Sequence, residues 1–412
     1  MSPGSGAVAD VAHGCRVVAR SVEGPDAREI FLHAAPPARL STAGAQAEAL
    51  YRAVGDVLAD AGAALASVVD ETVFLRNARA DLDAVRGARD RVLDERGAAH
   101  ARRAMVEIGQ PPLDPHAALE VALHAVLPRA VPLPADAVAV AAPPACGCAE
   151  CARAGGVLVR VGGESQLRTG ALYGGGGDAY TQALAMFEVA ERLLARAGME
   201  FADVVRTWIW LRDIERDYAS LNRARRAFFT SRRVDPPPAS TGIGGGPAAA
   251  GHDLCLAVYA VRSTSPIARA PMSAPTLNEA PQYGADFARG MRVARANHVA
   301  LHVSGTASVD ERGRTAHPGD FGAQAERMLV NLRALLEGQG AGFGDVVSAV
   351  TYVKRPADAS DLRARLRAAG FTGFPHALVE APICRPDLLC ETEALAVLDA
   401  SSQRVCSTSS IR

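Results

Sequence analysis

The feature that most constrains this chain is an internal repeat. Three segments align without a gap over about 31 residues, at 46–76, 182–212 and 324–354. Gln46, Gln182 and Gln324 share one column, and Gly62, Gly198 and Gly340 share a second. Val-Val pairs beginning at Val68, Val204 and Val346 form a third. A repeat of this kind is one supersecondary unit copied, with neighbours burying what a single copy leaves open. Each copy reads alike. An amphipathic helix of roughly four turns runs to the Gly, a common helix C-cap. A β-rich run follows, as in Val204–Leu211. A second helix comes next, clearest from Tyr218 to Phe229, then a Pro-containing link and two more strands. Two strands also precede the first helix, at 157–161 with 166–172 and at 291–294 with 298–305.

The predicted unit is therefore β-β-α-β-α-β-β, an α+β layer of about 120–130 residues. Its two helices cover one face of its sheet, and the other face is free to meet the neighbouring copies. The domain limits 14–128, 155–262 and 283–399 follow from composition. Residues 128–144 read as a Pro/Ala linker, 262–282 as a Ser/Pro/Ala-rich one, and the residues after Ala400 as a disordered Ser-rich tail.

Charge and hydropathy exclude several functions. A net charge of -1 gives no global basic field for nucleic acid. No stretch approaches the roughly 20 apolar residues of a membrane helix. Met1 to Asp10 lacks the basic flank and apolar core of a secretory signal. Eight Cys at irregular spacing point to reduced thiols and a cytoplasmic location. Three of them form the run Cys146-x-Cys148-x-x-Cys151, which invites a zinc reading. No fourth ligand stands at a standard spacing, so neither a metal nor a cofactor is expected.

The chemistry concentrates in Ile383 to Val397. Arg385-Pro386-Asp387 reads as a turn feeding a last strand. Alternation puts Leu389, Glu391 and Glu393 on one face. A carboxylate against a hydrophobic wall has its charged form disfavoured and holds a proton near neutral pH. The plainer alternative is a solvated edge-strand glutamate. Cys384 is either a polarisable wall or proton donor, or a buried structural thiol. Ser304 to Ser308 is either an anion-binding loop of backbone amides or a tight turn. Tyr283 is either a donor to a carboxylate or an interface aromatic.

This repeat resembles the Rid family, the reactive intermediate deaminases of the YjgF superfamily (chorismate mutase-like fold). Members are homotrimers with clefts between subunits, so the resemblance implies an intramolecular pseudo-trimer, existing as a monomer or dimer. The family's Arg and Glu are kept in copy one as Arg103 and Glu120. Copy two has Ser240 and Cys255 and reads as structural; copy three has Ala377 and Glu391.

Copies two and three also resemble the chorismatases. The matching stretches are Arg206 to Asp217, Ala239 to Gly244, Gln282-Tyr283-Gly284, Phe287-Ala288-Arg289, Val303 to Ser308 and Ile383 to Glu393. The resemblance implies an enzyme in which Glu391 protonates chorismate and Cys384 helps choose the product. Cys384 is similar to members forming 3-hydroxybenzoate, and Ala307 to the hydrolytic, dihydroxylating members. Tyr283, Arg289, Ser304, Gly305, Ala307 and Arg363 would bind the substrate, the arginines holding its carboxylates. The expected reaction releases pyruvate to give 3-hydroxybenzoate or a dihydroxycyclohexadienoate for secondary metabolism. The alternatives are an imine or enamine deaminase using Arg103 and Glu120, and a non-catalytic binder of small carboxylates.

Overall fold

The computed structural model describes residues 8–10, 12–129, 137–247, 249–280, 285–295 and 297–399. The expected tail and Tyr283 lie outside the described residues. Copy one comprises β1 (Arg16–Glu23), β2 (Ala27–Ala35), α1 (Ala43–Asp60), β3 (Val68–Leu75), α2 (Ala78–Glu95), β4 (Met105–Gly109) and β5 (Leu119–Pro128). Copy two comprises β6 (Gly155–Val161), β7 (Glu164–Thr169), α3 (Ala179–Arg196), β8 (Val204–Leu211), α4 (Ile214–Arg232), β9 (Ala239–Gly244) and β10 (Leu254–Ser263). Copy three comprises β11 (Gly290–Ala294), β12 (Val299–Ala307), α5 (Phe321–Glu337), β13 (Val346–Val353), α6 (Ala359–Ala368), β14 (His376–Glu380) and β15 (Cys390–Leu398).

Each column of the repeat has a physical task. The first helices start on Thr42, Asp178 and Asp320, whose side chains accept the backbone N–H of Ala45, Thr181 and Ala323. Past their ends, Gly62, Gly198 and Gly340 take φ of 71°, 71° and 74°, a region costly for any side chain with a Cβ. The column glutamines are buried clamps. The amide oxygens of Gln46, Gln182 and Gln324 accept the N–H of Ala118, Asp253 and Leu389, each at 2.8 Å. Their amide nitrogens donate to the loop before the helix, fastening it to the approach of the last strand. The Val-Val pairs mark a register shift in β3, β8 and β13 alike, a β-bulge that sharpens the local twist.

Within each sheet the copy's last strand is central, between the second and third strands, and its fourth strand pairs parallel with the third. The expected linkers are not mere spacers. Ala137–Ala141 pairs with β6 and Ala268–Pro271 with β11, as Val8–Asp10 does with β1. Covering a bare sheet edge satisfies backbone groups that composition alone does not reveal. Gly246–Pro247 of copy two extends the sheet of copy one beside β4.

The sheet faces left bare by the helices meet one another. They enclose a cavity of about 120 Å³ walled by all three copies, with Thr72, Trp208 and Glu393 among its lining. At the junction one residue from each copy forms a buried charge cluster. Arg295 donates to Glu29 at 3.0 Å and to Glu164 at 3.2 Å, all three being at most 3% exposed. Burial alone would raise the Glu29 carboxyl, but Arg295, with His298 and His124, holds it well below its ordinary value.

Removing one partner from such a cluster leaves uncompensated buried charge. Arg295→Ala should destabilise the chain by about 3–5 kcal/mol, read as a lowered denaturant midpoint. Arg262→Ala, which breaks an exposed pair with Asp203, should change the midpoint little.

Candidate active site

The last strand of copy three, β15, runs between β12 and β13. Glu391 is therefore on a central strand, not the solvated edge of the plainer sequence reading. It pairs with Ala307 on β12 and Tyr352 on β13 and is 4% exposed. The clamp on Leu389 from Gln324 fixes the start of this strand. The turn before it closes with Leu388 N–H donating to the Arg385 carbonyl at 3.2 Å.

Gly305 makes room for the acid. A Cβ built there would lie 2.0 Å from Glu391 Oε1. The residue sits at a register shift between Val303 and Thr306, so 304–308 is neither an open anion-binding loop nor a tight turn. Its N–H donates to Thr241 Oγ1 at 2.9 Å and is committed to copy two. Ser304 is structural as well. Its hydroxyl accepts the Ser240 N–H at 2.8 Å and donates to the Ala288 carbonyl at 2.6 Å, joining the two copies behind the site.

Glu391 faces a cleft of about 420 Å³ between copies two and three. Cys384, Arg289, Gly305 and Ala307 line the same cleft. Arg363 does not; it lies on α6 at the cleft between copies three and one. Counting along the sequence could not reveal which way that helix faces.

Copy two supplies what the sequence reading missed. Tyr218, Asn222 and Arg225 on α4 line the cleft, with Arg385 opposite from copy three. Their spacing of four and three residues puts them on one helix face, a signal legible in the sequence. Arg225 is buried, donating to Asn222 Oδ1 at 2.6 Å and to Ser240 Oγ at 3.4 Å. Arg289 donates to the Asn278 carbonyl at 2.8 Å and to its Oδ1 at 3.0 Å. Both guanidinium groups stand near the Phe287 ring, at 5.4 and 5.6 Å from its centre.

Burial, followed by the nearby charge of Glu393, raises the Glu391 carboxyl to about 8, against the opposing pull of Arg289, Arg206 and Arg385. Burial and the charge of Glu391 push the Cys384 thiol up to about 12, so it stays a neutral thiol at physiological pH. The cleft thus pairs a protonated acid with several guanidinium groups, a setting for proton delivery to a bound anion.

The other two clefts differ. Strand register puts Cys255 and Glu120 in the column of Glu391, through their partners Trp210 and Phe74. It also puts Met105 and His376, not Arg103 and Ala377, in the column of Ser240. The links before these strands differ in length, which ungapped counting ignores. Glu120 is bonded to His33 at 2.8 Å. Arg103 faces a separate cleft and donates to the carbonyls of 152–154. The two residues of the deaminase alternative therefore do not share a site. The Cys146–Cys151 run also lies elsewhere. No fourth ligand stands at a standard spacing, but the fold brings in His252, more than 100 residues on, with Nε2 within 4.0 Å of all three sulfurs.

The endoribonuclease L-PSP family model matches this chain twice, over residues 142–261 and 278–398. A 3-hydroxybenzoate synthase of Streptomyces hygroscopicus is 29% identical over 252 residues, spanning 53% of this chain and 70% of that protein. A crystal structure of a chorismatase shares the fold with a TM-score of 0.58 at 18% identity, covering 80% of this chain and 93% of that one. That coverage exceeds the stretch from residue 142 to the C-terminus, so the likeness reaches into copy one, which the sequence reading had set apart.

Glu391 binds a proton more tightly folded than unfolded. Its stabilising contribution is full below its ordinary value of 4.5 and is lost as pH rises through about 8. Glu391→Gln removes this titration. The variant should match the wild type near pH 4 and become the more stable of the two by about pH 9. Denaturant midpoints across that range check this; parallel profiles would mean that the carboxyl ionises without cost.

Proposed function

We propose, for a chain that belongs to the endoribonuclease L-PSP family, the Rid/YjgF superfamily, that it is a chorismate-converting enzyme releasing pyruvate. The observation that carries the reading is Glu391, a buried acid raised to about 8 facing a cleft lined by Arg225, Arg289 and Arg385. The 3-hydroxybenzoate synthase relative and the chorismatase fold support it.

The chemistry requires such a group. Chorismate carries two carboxylates, an enol ether and a cyclohexadiene ring. Protonating the terminal methylene carbon of the enolpyruvyl group yields an oxocarbenium ion, and the acid must begin protonated at neutral pH. Glu391 meets that condition by desolvation. Once ionised, its carboxylate faces the cation it has created, in a site where charge interactions are strong. The guanidinium groups from copies two and three oppose the two substrate carboxylates. Water or a ring hydroxyl then completes the departure of pyruvate.

Cys384 enters as a neutral thiol, not as a nucleophile. With Tyr218 as its hydrogen-bond partner, it shapes the wall where the ring sits. We assign it the choice between aromatic product and hydrated diene, and favour 3-hydroxybenzoate because the curated relative makes it.

Incubation with chorismate, followed by mass spectrometry, tests the reading; pyruvate with 3-hydroxybenzoate is the expected outcome. Glu391→Gln should lower turnover about 10²–10⁴-fold with little change in substrate binding. The wild-type rate should fall as pH rises through about 8. A variant with near wild-type turnover and an unchanged pH profile would remove Glu391 from the mechanism. Cys384→Ala should shift the product ratio more than the rate. Arg103→Ala should leave chorismate turnover nearly unchanged; a loss of several hundredfold at unchanged stability would move the active site to copy one.

A further inference from the structure

We infer that the chain holds a structural zinc ion on Cys146, Cys148, Cys151 and His252. The four ligand atoms lie within 4.8 Å of one another. His252 Nε2 is 3.8 Å from Cys146 Sγ, 3.5 Å from Cys148 Sγ and 4.0 Å from Cys151 Sγ. The Cys146 and Cys151 sulfurs are 3.4 Å apart. Tetrahedral zinc with ordinary bond lengths separates two sulfurs by about 3.8 Å and a sulfur from a nitrogen by about 3.6 Å. These four separations lie within about 0.4 Å of those values, and the remaining sulfur pairs, at most 4.8 Å apart, would draw in by up to about 1 Å to close on an ion.

Three thiols and one imidazole converging on a point have little reason to do so unaided. Thiols are weak donors and weak acceptors, so their mutual bonds poorly offset burial of the cluster. Three sulfurs and one nitrogen in tetrahedral array are a zinc donor set, and four protein ligands make the site closed and structural. Supporting bonds are in place. The Cys151 N–H donates to Cys148 Sγ at 3.3 Å. Arg212 donates to the His252 carbonyl, and the neighbouring Asp253 N–H is held by the repeat-column Gln182. Such outer contacts fix ligand orientation.

The surroundings show what the ion would secure. Cys148 caps a five-residue helix, Ala149–Arg153, too short to persist alone. Glu150 on that helix pairs with Arg86 of copy one at 2.7 Å, and Arg103 of copy one donates to the carbonyls at its end. The zinc would tie this segment to the loop before β10, locking the junction of copies one and two. It is not an inherited part of the repeat. The column of His252 holds Ala117 in copy one and Leu388 in copy three, and residues 262–282 between copies two and three contain no Cys.

Metal analysis of the full chain, produced in zinc-containing medium and purified under reducing conditions, tests the site. About one zinc per chain is expected, released by a mercurial thiol reagent. Cobalt(II) substituted for it should show the visible bands of a tetrahedral thiolate site. Cys148→Ser and His252→Ala should lower the zinc content several-fold, while Glu391→Gln should retain it. Should the ligand variants fail to fold, the cobalt spectrum of the wild-type chain decides alone. Less than about 0.1 zinc per chain without cobalt bands would overturn the inference. So would an intact mass and peptide map showing Cys146 and Cys151 joined as a disulfide.

Discussion

Each copy has helices enough for one face of its sheet, so three bare faces must be buried against one another. That burial sets the rest of the structure. It draws charged residues inward along with the apolar ones, and buried charges must be paired. Arg295 answers this by bridging Glu29 and Glu164, so that one cation from copy three is shared by an acid from each of the others. Asn297 adds backbone bonds to Asp26 and Ala27 across the same junction. Arg206 of copy two likewise holds Glu393 of copy three at 2.9 Å, with the Trp208 indole donating to the same carboxylate. The copies are thus joined by polar geometry that fixes their orientation, in addition to apolar contact.

Packing three copies around a common centre creates three clefts, and their chemistry has diverged at matching positions. The column of Glu391 reads Glu120 in copy one and Cys255 in copy two. Glu120 is tied to His33, while Cys255 is a fully buried thiol. Glu391 faces arginines of copies two and three, whereas Glu120, in a cleft lined by Arg16, Arg363 and Arg367, is already bonded to a histidine of its own copy. Copy two has Cys255 in the acid's column, yet its α4 supplies Arg225, Asn222 and Tyr218 to the cleft that Glu391 faces. A copy without an acid of its own can still furnish half a site.

Glu391 and Glu393 are two residues apart on one face of one strand and have different surroundings. Glu393 is bonded by Arg206 and Trp208. Glu391 sits against Gly305 and the cleft, where desolvation outweighs the guanidinium groups nearby. The charge of Glu393 adds to that upward pressure. The raised acid depends on this neighbour as well as on the hydrophobic wall.

The sequence by itself determined the repeated unit, its element order and the presence of Glu391 in a final strand. Those features are local: helical and strand periodicity, caps and turns recur every few residues and are legible in any copy. It also carried the helix face of Tyr218, Asn222 and Arg225, which went unread because nothing in the spacing says what the face meets. Tertiary structure alone decided that Arg363 points to another cleft, that Arg103 and Glu120 are parted, and that linker segments become edge strands. It alone brought His252 to three cysteines a hundred residues earlier. Sites of this kind form where copies meet, and the relative placement of copies depends on how their bare sheet faces pack. That packing is a property of surfaces assembled from distant residues, and no window of sequence contains one.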